Sequence, residues 1–227
     1  MSVTDRYRTP HDLPRHIPVF PLQGCILLPR STLPLNVFEP RYLEMVDDAL
    51  AGERLIGIVQ PLGKTGDEES PADNRFPLRR TGCVGRITSF SETEDARVLI
   101  TLTGIARFDI VGELGTDKPY RICEISCDRY ANDLIHGHGQ DDVDWPELLR
   151  VLKTYLAARQ MSADWESIER SPAELLVNTL SVISPYGPEE KQALLEASSL
   201  KERSEVLIAL AQMEMAATDD DSSSTLQ

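Results

Sequence analysis

The residues Gly57 to Gly66, "GIVQPLGKTG", place Gly-Lys-Thr directly after a run that reads as a β-strand. A nucleotide-binding loop of pattern G-x-x-x-x-G-K-[ST] would set its phosphate cradle there, aiming backbone N–H groups and a helix N-terminus at the anion. The spacing fails. Counting back five residues from Gly63 gives Ile58, and Gly57 stands one residue too early to supply the required amides. The continuation "TGDEESPADN" is a poor helix start and sets three acids beside the supposed phosphate. The stretch therefore reads as a strand running into a turn.

Cys123-x-x-x-Cys127 with His136 and His138 contains zinc-ligand types. Structural zinc sites pair their ligands across a tight knuckle, whereas "ICEISC" is extended and separates its two thiols. These residues are expected to be core thiols and loop histidines, with Cys25 and Cys83 also reduced. Neither H-E-x-x-H nor G-x-S-x-G occurs. Lys64, Lys118, Lys153, Lys191 and Lys201 leave a Ser–Lys dyad open, but nothing singles one out. Asp47-Asp48 and Asp141-Asp142 read as solvated faces, and Trp145 and Trp165 as packing residues at helix starts. The sequence marks no catalytic constellation, no cofactor and no metal.

The elements that must position any site change character near residue 140. Residues 1–15 are polar with Pro10 and Pro14, and read as a flexible arm. Residues 16–135 are β-rich. "IPVFPL" and "STLPLNVF" carry prolines, which points to edge strands or strand ends, and Arg54–Gln60 to a buried strand. "SETED" supplies a hairpin turn, while Gly104 and Gly112 suggest bulges or a close backbone approach. One early helix is signalled by Pro40 in its first turn, by Leu43, Val46 and Leu50 at helical spacing, and by Gly52 at its end.

Residues 140–216 then read as a bundle of about four helices, with Asp144 as an N-cap and capping boxes at Ser171–Glu174 and Ser199–Glu202. Residues 217–227 form an acidic, serine-rich tail expected to be disordered. The fold class is α+β.

The net charge of −14 excludes a broadly basic, phosphate-binding surface. It divides unevenly, −3 over residues 1–120 and −11 over the remainder. No nucleic-acid partner is expected. An RNA-binding alternative rests only on Arg75, Arg79, Arg80 and Arg86. The start lacks the apolar core of a signal peptide, and no apolar run approaches the ~20 residues that cross a bilayer. A cytoplasmic protein without a membrane partner is expected.

"IPVFPLQGCILLPRSTLPLNVFEPRYLEMVDDAL", "LIGIVQP", "GCVGRI", "ITLTGIARFDI" and "PYRICEI" follow one another in an order that resembles the N-terminal, substrate-binding domain of Lon proteases. The likeness extends through "LLVNTLSVISPYGPEEKQALLEASSLKERSEVLIALAQME" and covers roughly residues 16–215, closest to stand-alone versions. Pro29-Arg30-Ser31 and "NVFEPRY" depart from full-length Lon.

The resemblance implies a PUA-like β pseudo-barrel with one early helix, followed by a C-terminal helical bundle. It further implies a non-catalytic module that recognises polypeptide clients or works with a protease or chaperone partner, without the ATPase and peptidase domains. A hydrolase or peptidase with an unmarked site is the alternative. Phe38, Arg41 and Tyr42 are the candidate partner-binding residues, set against plain packing roles at the helix start. Client binding would require an exposed apolar patch or groove, expected between barrel and bundle.

Overall fold

A strand apolar on both faces must be covered on both. Leu55–Pro61 (β3) is buried along its whole length, between strands His16–Pro21 (β1) and Leu78–Glu92 (β4). The computed structural model describes residues 6–63, 76–93 and 97–224, with side chains through residue 217. The Lys64–Thr65 end of the Gly-Lys-Thr stretch and the tip of the "SETED" turn lie outside the described residues.

The remaining strands are Thr32–Val37 (β2), Val98–Leu114 (β5) and Arg121–Ser126 (β6), in the order β2-β5-β4-β3-β1-β6. Strand β6 also pairs with the far end of β5, so β1, β3, β4, β5 and β6 close into a ring while β2 flanks the start of β5. Register shifts at Val84/Gly85 and Ile110/Gly112 bend the long strands.

Gly104 answers the expectation of a close approach. A Cβ there would lie 2.0 Å from the Leu28 carbonyl oxygen, where the buried segment Ile26–Leu28 crosses β5. Pro34 does lie in β2, which pairs with β5 on one side only. Strand β1 has neighbours on both sides, so of the two readings of its prolines, edge strand or strand end, it is the strand end that applies. Pro18 is tolerated because the parallel pairing with β3 begins at Val19, and Pro21 ends the strand.

Helix Pro40–Ala51 (α1) starts and stops where the sequence places it, with Gly52 at its C-cap. Its buried face carries Tyr42, Met45, Val46 and Ala49; Leu43 and Leu50 are half-buried. The face is rotated from the expected one because the larger Tyr42 and Met45 take the core positions.

Five helices follow rather than about four: Trp145–Ala158 (α2), Trp165–Arg170 (α3), Ala173–Ile183 (α4), Pro188–Glu196 (α5) and Leu200–Ser224 (α6). Asp144 caps α2 by accepting from the Glu147 N–H at 3.0 Å. The capping box predicted at Ser171 does not form, since Pro172 is the N-cap and Glu174 turns to other partners. At α6, Ser199 accepts from Glu202 N–H, but the Glu202 carboxylate reaches Ser198 instead of the Ser199 N–H. The backbone stays helical to Ser224, past the boundary at 217 where composition predicts disorder. Ala216 and Ala217 carry the helix forward into the weaker Asp and Ser formers.

The arm also differs from its reading. Tyr7 and Leu13 are buried against barrel residues such as Val59 and Ile105, and residues 10–12 form a 3-10 turn closed by Asp12 on Thr9. Two apolar side chains outweigh the polar composition around them.

One apolar cluster runs from barrel residues such as Leu28 and Leu102 into bundle residues such as Val177, Leu194 and Leu207. Polar groups key this junction. Arg107 on β5 grips Asp133 through two nitrogens at 2.8 Å and donates to the Leu195 and Ala197 carbonyls. Arg30 pairs with Glu174, which also accepts from Gly137 N–H at 2.9 Å. Gln60 donates to Pro188 and Gln192, and Asn178 donates to the Pro29 carbonyl.

Candidate functional site

The first turn of α1 and the connection between β5 and β6 face each other across a cleft of about 390 Å³. Proline at position 40 fixes the helix start, so that Arg41 and Tyr42 leave the first turn together. The ring of Tyr42 stacks on Phe20 from the end of β1, with centroids 4.1 Å apart and planes 17° from parallel. Arg41 lies over the same tyrosine at 4.6 Å, an arrangement that favours a cation against the ring face. Two Arg41 nitrogens, Nε at 2.9 Å and an Nη at 2.7 Å, donate to one oxygen of Glu39.

The opposite wall comes from residues 113–121. Arg121 is held by Glu113 at 2.8 and 2.5 Å and donates to the Phe76 carbonyl at 2.6 Å. Lys118 reaches back to α1, to Glu44 at 3.2 Å and Asp48 at 2.7 Å, while the Tyr120 hydroxyl donates to Asp48 at 2.6 Å. These bonds clip the β5–β6 connection to the helix. The hydrogen bonds donated by Lys118 and Tyr120 hold the Asp48 carboxyl below its usual range, and the bonds Lys118 donates to the Asp48 and Glu44 carboxylates raise its own pKa. Burial pushes Tyr42 up, and burial together with Asp48 takes Tyr120 to about 12. The result is an aromatic floor under a rim of both charges.

Of the three residues read from the sequence, Arg41 and Tyr42 line this cleft. Phe38 does not; it is 61% exposed beside the helix start, with Arg97 over its ring at 5.8 Å. Sequence reasoning missed Phe20, Lys118, Tyr120 and Arg121. For Phe20, Tyr120 and Arg121 the only signal is that "VFPL" and "PYRICEI" belong to the ordered run quoted above; Lys118 falls just outside it.

An apolar groove is present, but within the bundle and not between barrel and bundle. It measures about 240 Å³ and lies among α2, α4 and α6, lined by Leu152, Tyr155, Ile183, Tyr186 and Ala211. At the junction expected to hold it, the Arg107, Arg30 and Gln60 contacts tie barrel to bundle, and the opening there is edged by the polar Arg30, His136, Gln140 and Glu174.

Other chemistry-bearing residues are spent on structure. Cys83, Cys123 and Cys127 are buried, and desolvation raises their thiols, Cys123 to about 11 and Cys127 to about 12. His136 and His138 are exposed. Among the described residues no group of three or more His, Cys, Asp or Glu is placed to hold a metal ion. Lys191 and Ser181 are close in space, yet the Lys191 Nζ donates to the Ser181 carbonyl at 2.8 Å while the Ser181 hydroxyl donates to Val177. Neither is poised as nucleophile or base. Of the arginine strip, Arg79 pairs with Glu189, Arg80 lies 3.9 Å from Asp109, and Arg86 donates to Tyr7 and Glu53; Arg75 lies outside the described residues. No helix among the described residues is long and apolar enough to cross a membrane.

The description "ATP-dependent protease La (LON) substrate-binding domain" matches residues 16–212. Lon protease of Flavobacterium johnsoniae is 27% identical over 196 residues, covering 85% of this chain and 23% of that protein. Lon protease of Dictyoglomus thermophilum is 26% identical over 204 residues, covering 85% of this chain and 24% of the relative. The chain thus spans about a quarter of the length of these relatives. Among solved structures, the N-terminal domain of Mycobacterium avium complex Lon protease aligns with a TM-score of 0.62 at 20% identity, over 87% of this chain and 98% of that one. A Lon N-terminal domain protein from Xanthomonas campestris gives 0.56 at 22%, over 86% and 97%. Both likenesses establish the fold, a β barrel joined to a helical bundle. The match along residues 16–212 settles the family: this chain belongs to the substrate-binding domains of the Lon type.

Proposed function

We propose that this chain recognises polypeptide segments, without catalysing a reaction, in the cleft between α1 and the β5–β6 connection. The observation that carries the reading is the convergence there of the stacked Phe20–Tyr42 pair with Arg41 and Arg121, residues drawn from both ends of the barrel sequence. Aromatic side chains offer apolar contact at small conformational cost, and arginines orient backbone carbonyls or acidic side chains. Phe38, exposed beside the start of α1 with Arg97 over its ring, adds an apolar surface outside the cleft itself. Delivery of the bound segment to a Lon-type protease or a chaperone is the role that fits such a module.

The test is anisotropy of a fluorescein-labelled, unfolded casein titrated with the full chain. Saturable binding is expected, with neither casein cleavage nor ATP hydrolysis. Phe38→Ala and Arg41→Gln alter exposed or half-buried side chains, and each should weaken binding by about 5- to 30-fold, the 1–2 kcal/mol of a contact residue. Unchanged affinity in both variants, with circular dichroism intact, would move the site elsewhere.

A further inference from the structure

The first turn of α1 reaches the cleft with hydrogen-bond donors unspent. Pro40 has no N–H, and the Tyr42 and Leu43 N–H groups turn back to the Glu39 carbonyl. Glu39, the N-cap, gives no side-chain cap, so the Arg41 backbone N–H has no partner among the described residues. The Arg41 guanidinium has spent Nε and one Nη on a single Glu39 oxygen, and its other Nη has no partner among the described residues.

A second observation is independent of the helix terminus. Tyr42 is only 7% exposed, yet its hydroxyl has no hydrogen-bond partner among the described residues. The charges that influence that hydroxyl are Arg41, Glu39 and Arg121, all of which line the cleft. The ring is buried while the hydroxyl oxygen is not sealed off, so it is open to a partner in the cleft that Tyr42 lines. Apolar walls stand beside these donors, from Phe20, Leu22, Phe76 and Leu114.

We propose that this corner of the cleft holds a carboxylate carried next to an apolar or aromatic group, with the Arg41 guanidinium, the Arg41 backbone N–H and the Tyr42 hydroxyl as its donors. Glu39 illustrates the fit, since its own carboxylate already occupies one edge of Arg41. A planar, singly charged group suits a guanidinium fork. A multiply charged anion is disfavoured by Glu39 and Glu113 in the same cleft and by the net charge of −14. In a polypeptide the carboxylate would be the chain terminus or an Asp or Glu beside an apolar residue; that identity of the ligand rests on the polypeptide reading above.

Two arms test the site. In the first, 3-phenylpropionate and its amide are titrated into the labelled full chain, and Arg41 backbone and Nε resonances are followed by NMR. The acid should shift them and the amide should not. Tyr42→Phe, which keeps the ring stack, should weaken the acid about threefold or more, and Arg41→Gln should erase the preference. In the second, an apolar peptide is compared with its C-amidated form and with an amidated form carrying a penultimate Glu. A preference of about tenfold or more for the free acid over the neutral amide supports a terminal carboxylate, and recovery by the Glu peptide supports a side-chain source. Equal binding of acid and amide in both arms overturns the proposal while leaving polypeptide recognition intact. Phenylpropionate binding without peptide binding upholds the carboxylate corner and removes the polypeptide reading. Absence of both removes both.

Discussion

At Lys191 the ammonium group donates to the Ser181 and Val182 carbonyls, in the last turn of α4, while burial pulls its pKa down from 10.5 to about 8. A buried base with a depressed pKa is protonated more readily in the unfolded chain. Its burial therefore counts against folding in full below about pH 8, and that penalty fades as pH rises from 8 towards 10.5. The ceiling is about 3 kcal/mol from the linkage relation, reduced because carbonyls at a helix C-terminus favour the charged form. Urea unfolding of wild type and Lys191→Met should show wild type gaining about 1–3 kcal/mol on the variant across that window; a constant gap would mean that Lys191 does not titrate there. The sequence names all five lysines without revealing which one is buried, because burial is decided by α4 meeting α5. Arg41 and Tyr42 were legible for the opposite reason, as neighbours at a local helix start. Phe20 and Arg121 reach them from about 22 and 79 positions away, and no local pattern signals that.

Helix boundaries were the most legible elements, since proline, caps and spacing agree at Pro40, Asp144 and Gly52. Glu174 shows where local chemistry gives way. Its sequence context is a capping box, yet the carboxylate is nine-tenths buried and serves Arg30 and the Gly137 N–H across the junction. Arg30 itself adopts φ +64°, a left-handed conformation that a side chain of its size rarely takes. The ion pair and the Arg30 N–H bond to the Gly104 carbonyl hold it there. Replacing Glu174 by Gln would leave the guanidinium without its counter-charge in a largely buried setting, and a loss of about 3–5 kcal/mol is expected. A urea midpoint unchanged by Glu174→Gln would show that the contact is dispensable. Strand β1 repeats the lesson, because its prolines report local backbone limits while ring closure decides which neighbours the strand acquires.

The whole molecule follows a division that composition shows at residue 140, but not the continuity across it. Barrel and bundle were readable as separate periodicities, two and 3.6, whereas their shared apolar cluster and the Arg107 grip depend on contacts between distant segments. Because the cluster is shared, calorimetry of the full chain should show one cooperative transition, with van't Hoff and calorimetric enthalpies equal. Two resolved transitions would mean that barrel and bundle unfold independently.

The ring closure has a consequence during synthesis. Strand β1 pairs with β6 at residues about a hundred positions further along the chain. At roughly 5–20 residues per second, a ribosome needs about 5–20 seconds to make β6 after β1. For that interval the outer edge of β1 has no permanent neighbour, and its apolar Ile17 and Val19 await cover. Nascent chains of this protein are therefore most in need of a holding factor between completion of β1 and emergence of β6, well before the bundle exists.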